Sequence, residues 1–278
     1  MRAISAAKLD SLADYAEIAI AAPEPGPGQV RIRVVSVGIG YVDALVALGR
    51  YQVKPPLPHI PGSEIAGTID AMGMDAGTWQ VGDRVFAITI HAFAELALAP
   101  VAACRRAPHH IELAAAAAVP LNYLTALHGL ADRGRLQPGE TLLVLGAAGG
   151  VGSAAIQVGK ALGARVIAAA STPEKRAFAL QQGADGVIDT EVDGWRDRLK
   201  SLLAGATLNV ILATSATMPP WRASSPRSRP SGSRATFTVR AITPKPKCST
   251  TSNASTIRPA VTRPWAISAP WTSRSKRL

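Results

Sequence analysis

The run Leu142-Leu143-Val144-Leu145-Gly146-Ala147-Ala148-Gly149-Gly150-Val151-Gly152 carries an apolar strand into a glycine-rich turn. Ser153 to Leu162 follows with the apolar spacing of a helix, and Arg165 to Ala170 reads as a second strand. Glycine lets a backbone approach a ligand closely, and a helix start offers unpaired N–H groups and the positive end of its dipole to an anion. Glycines alone would leave a purely structural turn as the alternative. The strand before, the helix after and the second strand supply the context of a dinucleotide pyrophosphate site, formed by residues Gly146, Ala147, Ala148, Gly149, Gly150, Val151 and Gly152.

Upstream of this turn the texture is different. Val30 to Val37 alternates like a strand, Tyr41 to Leu48 forms a short helix closed by Gly49, and Pro55, Pro56, Pro58 and Pro61 impose an extended loop. Ile65 to Ala71, Arg84 to Ile90 and Ala94 to Ala99 read as further strands. From about Leu113 the chain becomes alanine-rich helix, at Ala114 to Ala118 and Tyr123 to Ala131. Beyond the glycine turn, strand and helix alternate through Pro173 to Gln182, Val187-Ile188, Asp193 to Ala204 and Leu208 to Leu212. The fold class is therefore α/β: a β-rich first domain, residues 1–120, then a parallel, doubly wound sheet over 121–213 with its ligand at the carboxyl ends of the strands.

The chain has 30 Lys and Arg against 19 Asp and Glu, a net charge of +11 that suggests a polyanion partner until it is divided. All 19 acids lie before residue 214, with 18 of the 30 basic residues; the remaining 12 basic residues stand in a segment, 214–278, that has no acid. Lys8, Asp10 and Asp14 interrupt any apolar run at the start, so neither a secretory signal nor a membrane span is expected, and a cytoplasmic location follows. The two cysteines, Cys104 and Cys248, exclude a disulfide framework and a four-cysteine zinc lobe; Cys104 is expected to be an inert thiol.

The end of the second strand bears on which dinucleotide is bound. An NAD site places an acid there for the ribose 2′-hydroxyl, whereas a 2′-phosphate needs that acid gone and a cation near. This chain has Ala169-Ala170-Ser171-Thr172-Pro173-Glu174-Lys175-Arg176. Ser171 and Thr172 are neutral donors, and Lys175 or Arg176 can reach a phosphate from the first turn of the next helix, which favours NADPH. Glu174 is left either pairing with Arg176 or favouring the helix N-terminus. A solvated helix start is the plainer alternative for this cluster.

Pro61-Gly62-Ser63-Glu64-Ile65-Ala66-Gly67, Val81-Gly82-Asp83-Arg84-Val85, Leu124-Thr125-Ala126, Gly146 to Gly152 and Ser171 to Arg176, in this order and spacing, resemble the zinc-independent medium-chain dehydrogenase/reductases, in particular the quinone oxidoreductase branch. The resemblance covers residues 1 to about 212. It implies a GroES-like β domain and a Rossmann domain, NADPH as cofactor, and reduction of a quinone or activated alkene by hydride transfer without a metal. Zinc-dependent members have Gly-His-Glu where this chain has Gly62-Ser63-Glu64, and no cysteine precedes Cys104, so no metal is expected. His59, His91, His109, His110 and His128 are read as surface or packing residues. The resemblance also implies a substrate cleft of Tyr41, Asp43, Tyr51, Glu64 and Asn122 to Thr125. Tyr51 and Asp43 are the catalytic candidates, Tyr51 as donor to a developing oxyanion unless it only packs, and Thr125 belongs to the cofactor site. Two departures stand out: Gly40-Tyr41-Val42-Asp43 replaces an Asn-x-x-Asp segment, and Thr190 stands where the family commonly has a tyrosine.

After Leu212 the family pattern stops. Arg, Pro, Ser and Thr mixtures run to Leu278, with prolines every few residues and no apolar periodicity, so a non-homologous, disordered basic tail is expected over 214–278. A reading-frame shift in a GC-rich gene explains this composition, and a genuine polyanion-binding tail is the competing explanation. The resemblance implies that the nicotinamide half of the pocket comes from strands beyond this point. The expected consequences are impaired turnover, an uncovered sheet flank and a doubtful family-type homodimer. An enoyl-thioester reductase and a non-enzymatic polyanion-binding protein remain the alternatives, with nucleic acid and membrane disfavoured as partners.

Overall fold

A computed structural model of the chain describes residues 1–190, 193–213 and 238–241, the last four by backbone alone. At the start, β1 (Arg2–Ser5) and β2 (Ala16–Ala19) form an antiparallel pair. Ser11 and Asp14 shape the turn between them: the Ser11 hydroxyl accepts from the Ala13 N–H, and the Asp14 carboxylate accepts from the Ser11 N–H. Next come β3 (Gln29–Gly38), α1 (Tyr41–Ala47), β4 (Glu64–Met72), β5 (Arg84–Ile88), β6 (Leu96–Pro100) and β7 (Cys104–Arg106). These strands make an antiparallel sheet in the order β6-β3-β4-β5-β7. Strand alternation sends Val30, Ile32, Ile65, Ile69, Val85 and Ala97 into one core. β1, β2 and β7, at three or four residues each, are too short to display a period and are not among the expected strands.

The helical stretch begins with α2 (Leu113–Ala117) and α3 (Val119–Leu127), and a wider π-type turn continues it over His128–Arg133. The second helix starts at Val119, ahead of the expected Tyr123. Pro120 sits in its first turn, where no intrahelical N–H is needed and proline is tolerated.

A second sheet follows: β8 (Thr141–Leu145), α4 (Gly150–Ala161), β9 (Arg165–Ala169), α5 (Pro173–Gln181), β10 (Gly186–Ile188), α6 (Trp195–Leu203), β11 (Val210–Ala213) and β12 (Thr238–Ala241). Its order is β10-β9-β8-β11-β12, parallel from β10 to β11. Alternate residues of β8 feed opposite faces. Leu142 and Val144 pack with Ala154, Ile156 and Ala179 of α4 and α5, while Leu143 packs with Ile188 and Leu199 of the α6 side. Each fully buried Val, Leu or Ile contributes about 1.5–3 kcal/mol of transfer free energy.

Two expectations are corrected. The helix expected at Ser153 starts at Gly150, because the last glycines of the turn are already its first turn. The flank of β11 is not left open either. Thr238–Ala241 lies antiparallel to Val210–Ala213 and satisfies its outer hydrogen bonds, a departure from the expected disorder at these four residues. The rest of the expected tail lies outside the described residues. Among the described residues, no helix is long and apolar enough to cross a membrane.

Candidate functional site

Three parallel strands end side by side, and the loops leaving them form the candidate site. At the end of β8, Gly146 takes a positive φ of 71°, a left-handed conformation that suits glycine. Gly149 N donates to Gly146 O at 3.1 Å, and Gly149, extended with no side chain to cap the helix, leads into α4. The first amides of α4 therefore point out of the helix start without an intrahelical carbonyl. Gly152 lies directly against the turn: a Cβ there would meet Gly146 O at 2.2 Å and the Ala147 Cα at 2.9 Å. Ala147 is fully buried beneath it. Closely packed backbone with outward N–H groups at a dipole's positive end fits the diphosphate of a dinucleotide.

At the end of β9, the Thr172 hydroxyl caps α5 by accepting from Lys175 N at 3.3 Å. Glu174 resolves toward the helix end. A hydrogen bond from its own backbone N–H, then one with the Thr172 hydroxyl, and last the charge of Arg176 hold its carboxyl below the ordinary range. Ser171 is half-buried and Lys175 exposed. Arg176 turns the other way, and its guanidinium Nη1 donates to Ala170 O at 3.1 Å and Ser171 O at 2.9 Å and pairs with Asp189 Oδ2 at 2.8 Å. Asp189 follows β10, and its carbonyl accepts from Arg198 Nη2 at 3.0 Å. Asp189 and Arg198 are not among the residues expected at this site from sequence. No local spacing marks them, and only the adjacency of β10 and β9 brings Asp189 to Arg176.

The cleft candidates divide. Glu64, at the start of β4, is 3% exposed, and its Oε1 accepts from Leu121 N in the first turn of α3 at 2.7 Å. Burial pushes its carboxyl above the ordinary range; the Leu121 N–H opposes that rise and the Asp43 charge adds to it. Asp43 is near enough to act on Glu64 and His59, and it also accepts from Gly40 N at 2.7 Å to cap α1. His59 is 8% exposed, bonded through Nδ1 to the Tyr15 hydroxyl at 2.7 Å, and held below the ordinary imidazole value mainly by burial. Asn122 stands over the start of α4, where a Cβ on Gly150 would meet its Oδ1 at 2.7 Å. Asn122 thus joins the cleft to the phosphate turn. Thr125 is half-buried on the same helix, Tyr41 is 66% exposed, and Tyr51 is half-buried with its N–H donating to Leu45 O. Among the described residues, no group of three or more His, Cys, Asp or Glu could hold a metal ion.

Residues 26–117 match the family profile described as alcohol dehydrogenase GroES-like domain, and residues 150–251 match zinc-binding dehydrogenase. The second match runs past the loss of acids at residue 214. The "quinone oxidoreductase-like protein 2" of Rattus norvegicus is 39% identical over 177 residues, which are 63% of this chain and 51% of the relative. The chain thus spans about half the length of the curated relatives it matches. A quinone oxidoreductase structure from Pseudomonas syringae pv. tomato aligns with a TM-score of 0.70 at 32% identity, over 80% of this chain and 69% of that one. A mycobacterial protein solved in complex with NADPH aligns at 0.69 and 30% identity, over 81% and 70%.

Proposed function

The chain belongs to the zinc-independent medium-chain dehydrogenase/reductases, among their quinone oxidoreductase-like members, and from that premise we propose that it holds NADPH and descends from an enzyme reducing quinones or other activated alkenes. The observation that carries the proposal is the pairing of two neighbouring features. One is the uncapped start of α4, with Gly152 pressed under Gly146; the other is the end of β9, where Ala170-Ser171-Thr172 holds no acid of its own and Lys175 stands exposed. The α4 amides would hold the diphosphate, Ser171 and Lys175 the 2′-phosphate, and Asn122 and Thr125 the adjoining part of the cofactor. Bound there, NADPH supplies a hydride. The chain's own contribution is to orient the acceptor, exclude water and offer a hydrogen bond from Tyr51 to the oxygen that gains charge. Asp43 keeps α1, and with it the cleft wall, in place.

This polypeptide is proposed to bind the cofactor weakly and turn over little. After Ala213 its sequence loses its acids, and the nicotinamide half of the pocket is expected from that portion of the family fold. The composition break supports a reading-frame shift, an account that must also accommodate the family match reaching residue 251. The coding DNA around codon 212 tests it: an intact frame, with no family-like continuation in the other frames, refutes the shift. Purified full-length protein, assayed for NADPH oxidation with small quinones and with enoyl thioesters, is expected to show little activity with either, and robust oxidation refutes the impairment. Salt-sensitive retention on nucleic acid that disappears on deleting residues 214–278 would instead favour the basic tail as a functional element.

A further inference from the structure

Arg176 does not lie ready for a ligand. Its side chain is 20% exposed and committed to two backbone carbonyls of the loop after β9 and to the carboxylate of Asp189. Lys175, one residue earlier, is exposed and makes no ion pair among the described residues. Asp189 is itself fastened from the other side, since Arg198 donates to its carbonyl and, through Nη1, to Asp193 O at 3.0 Å. The guanidinium therefore acts as a strut that fixes Ala170 and Ser171, the backbone on which a 2′-phosphate contact depends.

We propose that Asp189 is a specificity-determining residue: by pairing with Arg176 it makes that cation a positioning group for the 170–172 loop and lowers the positive charge offered to a 2′-phosphate, leaving Lys175 as the discriminating cation. This rests on the reading that the loop receives the adenosine ribose of NADPH. The pair lies in the wall of a cavity of about 400 Å³ lined also by Val187, Ser201 and Leu202. Asp189→Asn, which keeps the size of the side chain, therefore removes charge without filling or emptying a packed core. It adds one positive charge to the balance around the phosphate, while the Arg176 bonds to the carbonyls remain available.

The test is titration of the full-length chain with NADPH and with NADH, read by calorimetry or by quenching of intrinsic fluorescence, so that no turnover is required. Lys175→Gln is expected to weaken NADPH about tenfold and to leave NADH within about twofold, the size of losing one charge-assisted contact. Arg176→Lys, which keeps the charge and loses the bonds of the fork, is expected to weaken both nucleotides by the same factor, as loss of a loop strut requires. Asp189→Asn is expected to tighten NADPH about threefold, with NADH unchanged, and the gain should shrink as salt is raised. Selective loss of NADPH in Arg176→Lys, or an NADPH to NADH ratio unchanged by Asp189→Asn, overturns the assignment while leaving the nucleotide site intact. Should Arg176→Lys fail to fold, Asp189→Asn and Lys175→Gln decide alone. A wild-type chain that retains neither nucleotide overturns the underlying reading, a result distinct from the others.

Discussion

Gly149 and Gly152 stand three residues apart in one turn, yet they tolerate different things. A methyl group on Gly152 collides with the backbone of Gly146 and Ala147, which has no flexible end to yield, whereas a Cβ on Gly149 would stand 3.5 Å from Gly146 O in ordinary contact. Gly152→Ala is expected to cost about 1–3 kcal/mol in urea unfolding, the range for overpacking, and Gly149→Ala to stay within about 0.5 kcal/mol. Burial likewise pushes the Cys104 thiol up to about 11, only partly opposed by Arg105. Alkylation at pH 8 followed by peptide mapping should find Cys104 unmodified in the native protein and modified after unfolding. The glycine turn was legible because its chemistry is local, a strand, a turn and a helix start in consecutive residues. Asp189 was not. Its role depends on a partner on the neighbouring strand, and nothing in Val187-Ile188-Asp189-Thr190 announces that Arg176 will be within 2.8 Å.

Elements meet at Glu64. Its carboxylate at the head of β4 receives the first-turn amide of Leu121, tying the antiparallel sheet to α3, whose Asn122 stands over the start of α4 where a side chain on Gly150 would meet it. Glu64→Ala leaves the Leu121 N–H without its acceptor and is expected to cost about 1–3 kcal/mol. Glu64→Gln retains an acceptor and removes the titration. Because the folded-state value is raised, the folded chain keeps a proton that the unfolded chain releases above about pH 4.5; the stabilisation is full below that value and declines as pH rises through the folded value. The difference in unfolding free energy between wild type and Glu64→Gln should therefore fall with pH from 4 to 8, and a pH-independent difference would contradict the assignment. Strand and helix pattern was readable wherever the apolar period ran long, as in β3 and α4. The start of α3 was obscured by Pro120, and β7 is only three residues long.

For the whole molecule, the question is how the second sheet closes. Four parallel strands came out of the apolar runs directly, but nothing in the arginine- and proline-rich segment pointed to Thr238–Ala241 as the partner of β11. Backbone pairing asks little of sequence beyond extended geometry, so side-chain pattern could not reveal it. Deleting residues 214–278 should expose the β11 edge, lowering the thermal midpoint by several degrees and giving larger self-associated species in sedimentation; an unchanged midpoint and association state would count against a role for this strand. Val210 pairs with Ala241 and Ala213 with Thr238, so with residues 214–278 removed the β11 edge becomes an open template for an added antiparallel strand. A chain closed in this manner can be split there and rejoined without a covalent link: the 1–213 fragment, mixed with a synthetic peptide containing Thr238-Val239-Arg240-Ala241, would reassemble by complementation.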